Sequence, residues 1–326
     1  MTAGLPATEP PRTVAVVICS FKRPDGLLRA LDSLRVQQEP PHEVLVVAQG
    51  RDAPTLAALD ARPDDGLPIR RVIVDRPGLV HARNAGLAAL RSDVVAFTDD
   101  DTATWPDWLA RIMAHFRADP CLGGLGGRDW VHEDGRRQEG TAETVGRVQW
   151  FGRVIGNHHL GHGGLRPVDV LKGANMSFRT AAIRDLRFDA RLRGRGAMPD
   201  DDMTFSLAVK RSGWGVAYDP AVALEHFSGE REEPRHYSGY MRSFDGPGLF
   251  DFAHNQSVAL LSGLPSLPRR LAFLAWSAAV GTKVAPGFLQ AVLLTRKLGW
   301  LSWRRYAVVQ RGKAAGLWTV LRRRRP

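Results

Sequence analysis

Two runs of three adjacent aspartates, Asp99–Asp101 and Asp200–Asp202, hold the residues best suited by type and spacing to do chemistry. Neighbouring carboxylates repel, so each raises the cost of ionising the next. The first run closes an apolar stretch, VVAFTDDDT (94–102). Three uses compete for it. A solvated turn is one, since aspartate is common there. Capping the helix that begins at Pro106 is another, but it would occupy only one carboxylate. The third is a divalent-cation site, because hard ions such as Mg2+ and Mn2+ take oxygen ligands, often one or two carboxylates together with substrate phosphates. In that use the repulsion is an asset, relieved when the cation arrives. The second run precedes MTFSLAVKRSG, where a carboxylate can cap a helix and complement its dipole.

The elements that must position these groups alternate between apolar β-branched runs and helical periodicity. TVAVVIC (13–19), EVLVVA (43–48), IRRVIVD (69–75) and DVVAF (93–97) read as strands. Between them lie a helix over 24–37, with Leu27, Leu31 and Leu34 on one face and Pro24 in its first turn, a weaker helix around 53–61, and a helix over 78–90. Repeated units of this kind predict a parallel sheet with right-handed crossovers and helices on both faces. Ligands then bind at the carboxyl ends of the strands, where Asp99–Asp101 and Ser20–Arg23 both fall. A helix over 106–119 follows, then a Gly-rich extended region over 121–178, a helix over about 203–212, and a strand in GWGVAYDP (213–220). The first strand is not followed by a GxGxxG loop, which speaks against a dinucleotide-binding oxidoreductase.

The net charge of +11 is not evenly spread. Phe252–Pro326 carries 13 Lys and Arg and no Asp or Glu, which leaves 32 basic and 34 acidic residues in Met1–Asp251, a charge of −2. LLSGLPSLPRR (260–270) reads as a hinge. Beyond it, LAFLAWSAAVGTKVAPGFLQAVLLT (271–295) would reach ~37 Å as one helix, enough to cross a ~30 Å hydrocarbon core. Gly281, Lys283, Pro286 and Gly287 interrupt it, so an interfacial or re-entrant helical pair is favoured over a single span. Basic clusters and Trp276, Trp300, Trp303 and Trp318 flank it, a composition suited to an anionic membrane surface. The apolar helices argue against nucleic acid, which needs the charge but not the apolar surface. Cys19 and Cys121 have no metal-ligand spacing and read as core residues of a reducing compartment. MTAGLPATEPPRT reads as a flexible leader without a signal-peptide core.

VAVVICSFKRPDGLLRALDSLRVQ, GLVHARNAGLAAL, the strand ending in FTDDDT, LKGANMSFR (171–179), PDDDMTFSLAVKRSGW (199–214) and ALEHFSGER (223–231) together resemble glycosyltransferase family 2, in the family's own block order over roughly residues 13–235. The resemblance implies a GT-A (Rossmann-like) α/β fold, with a mostly parallel sheet flanked by helices, and an inverting transfer from a nucleotide-diphosphate sugar. It also implies residue roles. Asp99 and Asp101 match the DxD pattern, with Asp101 nearest a Mn2+ or Mg2+ ion and Asp99 or Asp100 nearest the donor ribose. Ser20 and Arg23 match positions lining the nucleotide, and Arg83 and Asn84 match the ARN block beside it. His226 matches a further metal contact, and Arg231 a group that closes over the diphosphate. Asp202 matches the general base, with Asp201 the alternative. Gly173 and Asn175 would wall the acceptor pocket, and Trp214 would stack on a sugar. His158, His159 and His162, in the Gly-rich NHHLGHGG, fit an acceptor-side loop better than a metal site.

One feature departs from the family pattern. The second strand ends VVAQG, so Ala48 and Gln49 stand where the family commonly has base-recognising aspartates; Asp52 or Asp75 would have to substitute. A UDP-sugar remains the favoured donor, with GDP or dTDP as alternatives. The expected organisation is a leader over 1–12, a nucleotide-sugar half over 13–102, an acceptor and catalytic half over 103–251, and a helical, basic, membrane-associating region over 252–326. The expected partners are the donor, a glycan or lipid-linked acceptor and an anionic membrane. The expected place is the cytoplasmic face of the cell membrane, peripheral or monotopic, with a single span as the alternative. The rival readings are a nucleotidyltransferase and a non-catalytic glycan- or membrane-binding module on the same fold.

Overall fold

A computed structural model of the chain describes residues 9–194, 198–227 and 244–322. The first hundred residues follow the alternating pattern: β1 (Val14–Ser20), α1 (Pro24–Arg35), β2 (Glu43–Gln49), α2 (Ala53–Ala61), β3 (Ile69–Val74), α3 (Leu79–Ala89) and β4 (Val94–Asp99). Every residue of β2 is buried, as is all of β1 except Cys19, which is what covering both faces of a parallel sheet demands. The β1 strand pairs in parallel with β2 and β4, and β2 with β3. In that register Cys19 lies opposite Asp99 and Ser20 opposite Ala48, so the acidic run and the SFKR turn leave the sheet at one edge. Helix α1 buries Leu27, Ala30, Leu31 and Leu34, a single stripe. Asp25 in its first turn and Arg35 in its last complement the helix dipole.

The chain continues through β5 (Thr102–Thr104), α4 (Trp108–Ala118), the long β6 (Leu122–Glu133), β7 (Arg136–Arg137), β8 (Arg147–Val148), β9 (Val154–Ile155), β10 (Arg166–Pro167), β11 (Asn175–Arg179), the short α5 (Thr180–Ile183), α6 (Asp201–Arg211) and β12 (Gly215–Phe227). The main sheet runs in the order β10-β12-β6-β11-β4-β1-β2-β3. Strand β11 enters antiparallel between β4 and β6, while β12 lies parallel to β6. This is the mixed, mostly parallel sheet flanked by helices that a GT-A fold requires. The strand expected over 213–220 reaches Phe227, far enough to carry His226 back beside Thr102. Helix α6 starts two residues earlier than its periodicity suggests, which places Asp201 and Asp202 in its first turn.

Among the described residues, four helices follow: α7 (Gly246–Gly263), α8 (Leu267–Ala279), α9 (Phe288–Leu298) and α10 (Trp300–Arg322). The stretch expected as a hinge over 260–270 is mostly helical. Pro268 lies in the first turn of α8, where its missing N–H costs nothing, so it starts a helix instead of breaking one. The interruption expected within 271–295 is present over 280–287. Among the described residues, no helix is long and apolar enough to cross a membrane. Helix α10 lies against α7 so closely that a Cβ on Gly312 would sit 2.6 Å from the Phe250 carbonyl oxygen, and one on Gly316 2.5 Å from that of His254.

The chain divides into two compact units: Met1–Arg147 with Ile155–Phe188 and Ala208–Gly229, and Val148–Val154 with Asp189–Leu207 and Glu230–Pro326. In the first unit, β12 slips register against β6 between Asp219 and Ala223. The bulge turns the Val222 carbonyl over Gly127, where a Cβ would lie 1.7 Å from its oxygen. Only glycine fits there. Gly127→Ala is expected to lower stability by ~2–3 kcal/mol or more, read as a lowered Tm in thermal unfolding, because β6 and the bulge cannot both keep their places.

Candidate functional site

The turn after β4 is tied before its carboxylates act. Thr98 donates its hydroxyl to the Ala174 carbonyl at 3.0 Å, and Thr102 donates to the Asp99 carbonyl at 2.8 Å. The three carboxylates then part company. Asp99 is partly exposed, while Asp100 and Asp101 are buried. Arg23 reaches across from the turn between β1 and α1, with Nη1 2.8 Å from Asp101 Oδ2 and Nη2 2.9 Å from Asp100 Oδ1. Burial opposes its charge, but the three aspartates more than compensate and its pKa rises. Arg83 on α3 comes within 3.5 Å of Asp99 Oδ1 and 3.4 Å of the Gly173 carbonyl.

On the other side, His226 Nε2 lies 3.3 Å from Asp101 Oδ1 and its Nδ1 3.3 Å from Asp129 Oδ2. Asp129, on β6 and wholly buried, also takes the Lys172 ammonium. A continuous line of alternating charge results: Arg23, Asp101, His226, Asp129, Lys172. Burial favours neutral His226, but the Asp101 and Asp129 carboxylates outweigh it and raise its pKa to about 9. Burial alone would also raise Asp129, yet Lys172 and His226 hold it below the ordinary carboxylate range. Asp100 goes the other way. Burial and the neighbouring aspartates push it up to about 7 against the opposing pull of Arg23 and the Ser20 hydroxyl.

One oxygen each from Asp99 and Asp101 and one nitrogen of His226 lie within 4.8 Å of one another, so these three could hold a metal ion. Two carboxylates with an imidazole fit a Mn2+-type ion, since the oxygens suit hard cations and the nitrogen suits transition ions over Mg2+. Asp129 would then be the partner that orients the imidazole through its other nitrogen. Sequence reasoning missed Asp129. Its signal was a lone acid in a Gly-rich apolar strand, GGLGGRDWV, where a buried carboxylate needs a cation.

Several expected roles are corrected by burial. Asn175 is not an acceptor contact: it is wholly buried, accepts from Trp108 Nε1 at 3.0 Å, and donates to the carbonyls of Val222 and Arg128. Trp214 is buried against Gly123, so its ring is core and not a sugar platform. Gly173 packs on the Arg83 guanidinium beside the acidic turn. Asn84 exchanges hydrogen bonds with the Phe188 backbone and holds a loop. Asp100, buried under Arg23, offers no face to a ribose. Asp52 caps α2 and accepts the Lys22 N–H, so it is spent; Asp75 at the end of β3 is exposed. His158 bonds the Val170 carbonyl, and no cluster with His158, His159 or His162 has metal-binding spacing among the described residues. Arg231 lies outside the described residues.

The second acidic run opens α6. Asp200 adopts φ 66°, an uncommon left-handed conformation, and its carbonyl accepts from the Thr204 N–H and hydroxyl. Burial and then Asp202 and Asp201 push its pKa well up. Asp201 is buried, whereas Asp202 is half-buried and accepts the Met203 N–H at 2.7 Å. Of the three, Asp202 is the carboxylate that is both half-buried and seated in the first turn of α6.

Residues 10–242 match the family model described as "Glycosyltransferase like family 2". The glucosyl-dolichyl phosphate glucuronosyltransferase of Haloferax volcanii is 27% identical over 176 residues, covering 51% of this chain and 52% of that protein. The chain spans about half or less of the length of the curated relatives it matches. Among solved structures, S. aureus TarS 1–349 in complex with UDP-GlcNAc superposes with a TM-score of 0.57 at 14% identity, over 94% of this chain and 92% of that one. The mannosyltransferase PcManGT from Pyrobaculum calidifontis, in complex with GDP-Man and Mn2+, gives 0.50 at 19% identity over 95% and 89%. At such identities the likeness is one of fold.

Two outcomes follow from the geometry. Asn175→Ala strands three buried polar groups and is expected to lose on the order of 3 kcal/mol, seen as a lowered urea midpoint. His226 keeps its proton to about pH 9 when folded, against 6.5 for the unperturbed group, so its charge stabilises fully below pH 6.5 and the gain is lost as pH rises through about 9. His226→Gln should therefore cost on the order of 3 kcal/mol near pH 6 and little near pH 10, measured by urea unfolding with a chelator present.

Proposed function

The chain belongs to glycosyltransferase family 2, and from that premise we propose that it transfers a sugar from a nucleotide-diphosphate donor to an acceptor hydroxyl in a metal-dependent, inverting reaction. The observation that carries the reading is the convergence of Asp99, Asp101 and His226 at the carboxyl edge of the sheet. Sheets of this class bind ligands at that edge. The donor set of Asp99, Asp101 and His226 fits a Mn2+-type ion better than Mg2+, and such an ion when bound would neutralise charge on the leaving diphosphate.

The chain's own residues supply the rest. Arg23 holds Asp101 by one arm, fixing the carboxylate against rotation, and remains partly exposed as a positive face for a nucleotide. Asp202 takes the proton from the acceptor hydroxyl as that oxygen attacks the anomeric carbon. The bond from that carbon to the diphosphate oxygen breaks, and the nucleoside diphosphate leaves. One displacement inverts the anomeric configuration. Asp201, buried, and Asp200, whose pKa is raised, are less suited to take the proton.

A UDP-sugar, GDP-sugar or dTDP-sugar meets these requirements, and the two fold relatives are complexed with UDP-GlcNAc and GDP-Man. The acceptor we propose is a hydroxyl of a glycan or a lipid-linked saccharide. The name of the Haloferax relative, a glucosyl-dolichyl phosphate glucuronosyltransferase, supports that class.

Calorimetric titration with UDP, GDP and dTDP, each with and without Mn2+, tests the donor reading. One nucleotide should bind tightly only with the metal, and Asp101→Ala should weaken that binding by at least ~100-fold. Asp202→Asn should leave nucleotide affinity within about twofold and lower kcat by ~10²–10⁴-fold. A folded chain that binds none of the three nucleotides would instead favour a non-catalytic module.

A further inference from the structure

Helix α9 is apolar on nearly every side. It buries Ala291 and Leu294, yet Phe288, Leu289, Val292 and Leu293 are exposed, Leu293 to 67%. Those four fall at i, i+1, i+4 and i+5, and the same arc continues into exposed Arg296 and Lys297; Trp300, the first residue of α10, is 74% exposed. A helix that is apolar all round belongs in a core or a lipid phase. Helix α10 carries a second stripe. Trp300, Arg304, Arg311, Trp318 and Arg322 are all exposed and recur at helical spacing, with the Arg322 guanidinium 4.9 Å from the Trp318 ring. Exposed Leu267 and Leu271 lie one turn apart on α8.

We propose that the α9 face and the α10 Trp–Arg stripe form a docking surface for an anionic lipid bilayer, with α9 lying in the plane of the interface. Charge and length select this occupant. The sequence has no acidic residue after Asp251, so the surface offers only cations to a partner's phosphates. A second copy would set Arg296 and Lys297 against like charges with no acid of the region to pair them. Nucleic acid would satisfy the arginines and leave Phe288, Leu289 and Leu293 in water. At 11 residues α9 is about 16 Å long, roughly half a hydrocarbon core, so it can lie in a membrane surface and cannot traverse one. Apolar residues on one side with Trp and Arg along the rim match the depth profile of an interfacial helix. The inference rests on none of the donor-site residues.

The test is flotation of the full chain with vesicles of phosphatidylcholine, with and without phosphatidylglycerol. Binding to the anionic vesicles is expected to exceed binding to neutral ones at least tenfold, and to weaken at about 0.5 M NaCl. Leu289→Glu with Leu293→Glu should cut vesicle binding at least ~tenfold while Tm and metal-dependent nucleotide binding stay unchanged, since both side chains are exposed. Phe288→Gln with Leu293→Gln is the second variant, without added charge. Arg296→Glu with Lys297→Glu should abolish the preference for anionic lipid. Absence of binding to either vesicle by the folded chain overturns the proposal, as does binding that both apolar pairs of substitutions leave intact. Equal affinity for duplex DNA, or a dimer in light scattering that the Leu289 and Leu293 changes dissociate without any lipid binding, also overturns it.

Discussion

Carboxylates cannot be gathered at the end of a buried strand unless cations come with them, and that constraint organises the acidic edge of this protein's sheet. Arg23, Asp101, His226, Asp129 and Lys172 alternate in sign, and each carboxylate in the line touches two cations. The participants come from the turn after β1, the end of β4, β6, the loop before β11, and β12. The strand order that brings β6 and β12 beside β4 and β11 is thus also the order that neutralises the acidic turn. Removing one member leaves a buried charge without its partner, which is costlier than never having built the pair. Asn175 serves the same end without charge, tying the β6 and β12 backbones to α4 through a single side chain.

The three adjacent aspartates, alike in sequence, are separated by depth. Burial and like charge push Asp100 toward neutrality, and its role is to anchor Arg23. Asp101 shares Arg23 and faces His226, and Asp99 stays near solvent. A similar partition divides Asp200, Asp201 and Asp202, where only the last is both solvent-accessible and seated in the helix's first turn. In both runs, then, one acid is structural, and its sacrifice leaves its neighbour in a defined position. In the proposed reaction, Asp99, Asp101 and His226 would hold the cation in a surrounding already balanced by protein charge. Bound there, it would supply positive charge to the nucleotide diphosphate.

The sheet and the acidic edge were legible in the sequence because both are local signals. Apolar runs of five to seven residues bounded by turn residues announce buried parallel strands, and an acidic triplet at a strand end announces itself. His226 and Arg83 were reachable through the family's block order. Asp129 was not, because its partners lie 43 and 97 residues away and a lone aspartate in a strand has no periodicity to betray it. Asn175 and Trp214 failed in the opposite direction. Their residue types suit sugar binding, but burial depends on which strands become neighbours, and β11 between β4 and β6 places Asn175 at the centre of the sheet. The hinge reading failed because a proline marks a helix start as readily as a break, and only the surrounding helix boundaries tell the two apart.

Helices α1 and α9 show why apolar content alone does not place a helix. Leu27, Leu31 and Leu34 of α1 fall on one stripe, and its opposite face is polar, so water and the sheet are both satisfied. Helix α9 has a buried stripe of similar kind in Ala291 and Leu294, and then a second apolar face that the described residues do not cover. Selection for stability in water would have made that outer face polar at little cost, since exposed helix positions tolerate Lys, Glu or Gln freely. The same residues are instead Phe288, Leu289, Val292 and Leu293, and the polar positions that follow are both basic. A contiguous apolar face that ends in cations complements a surface with an apolar interior and an anionic skin, and on that match rests our proposal of a bilayer over the other partners a basic protein can meet.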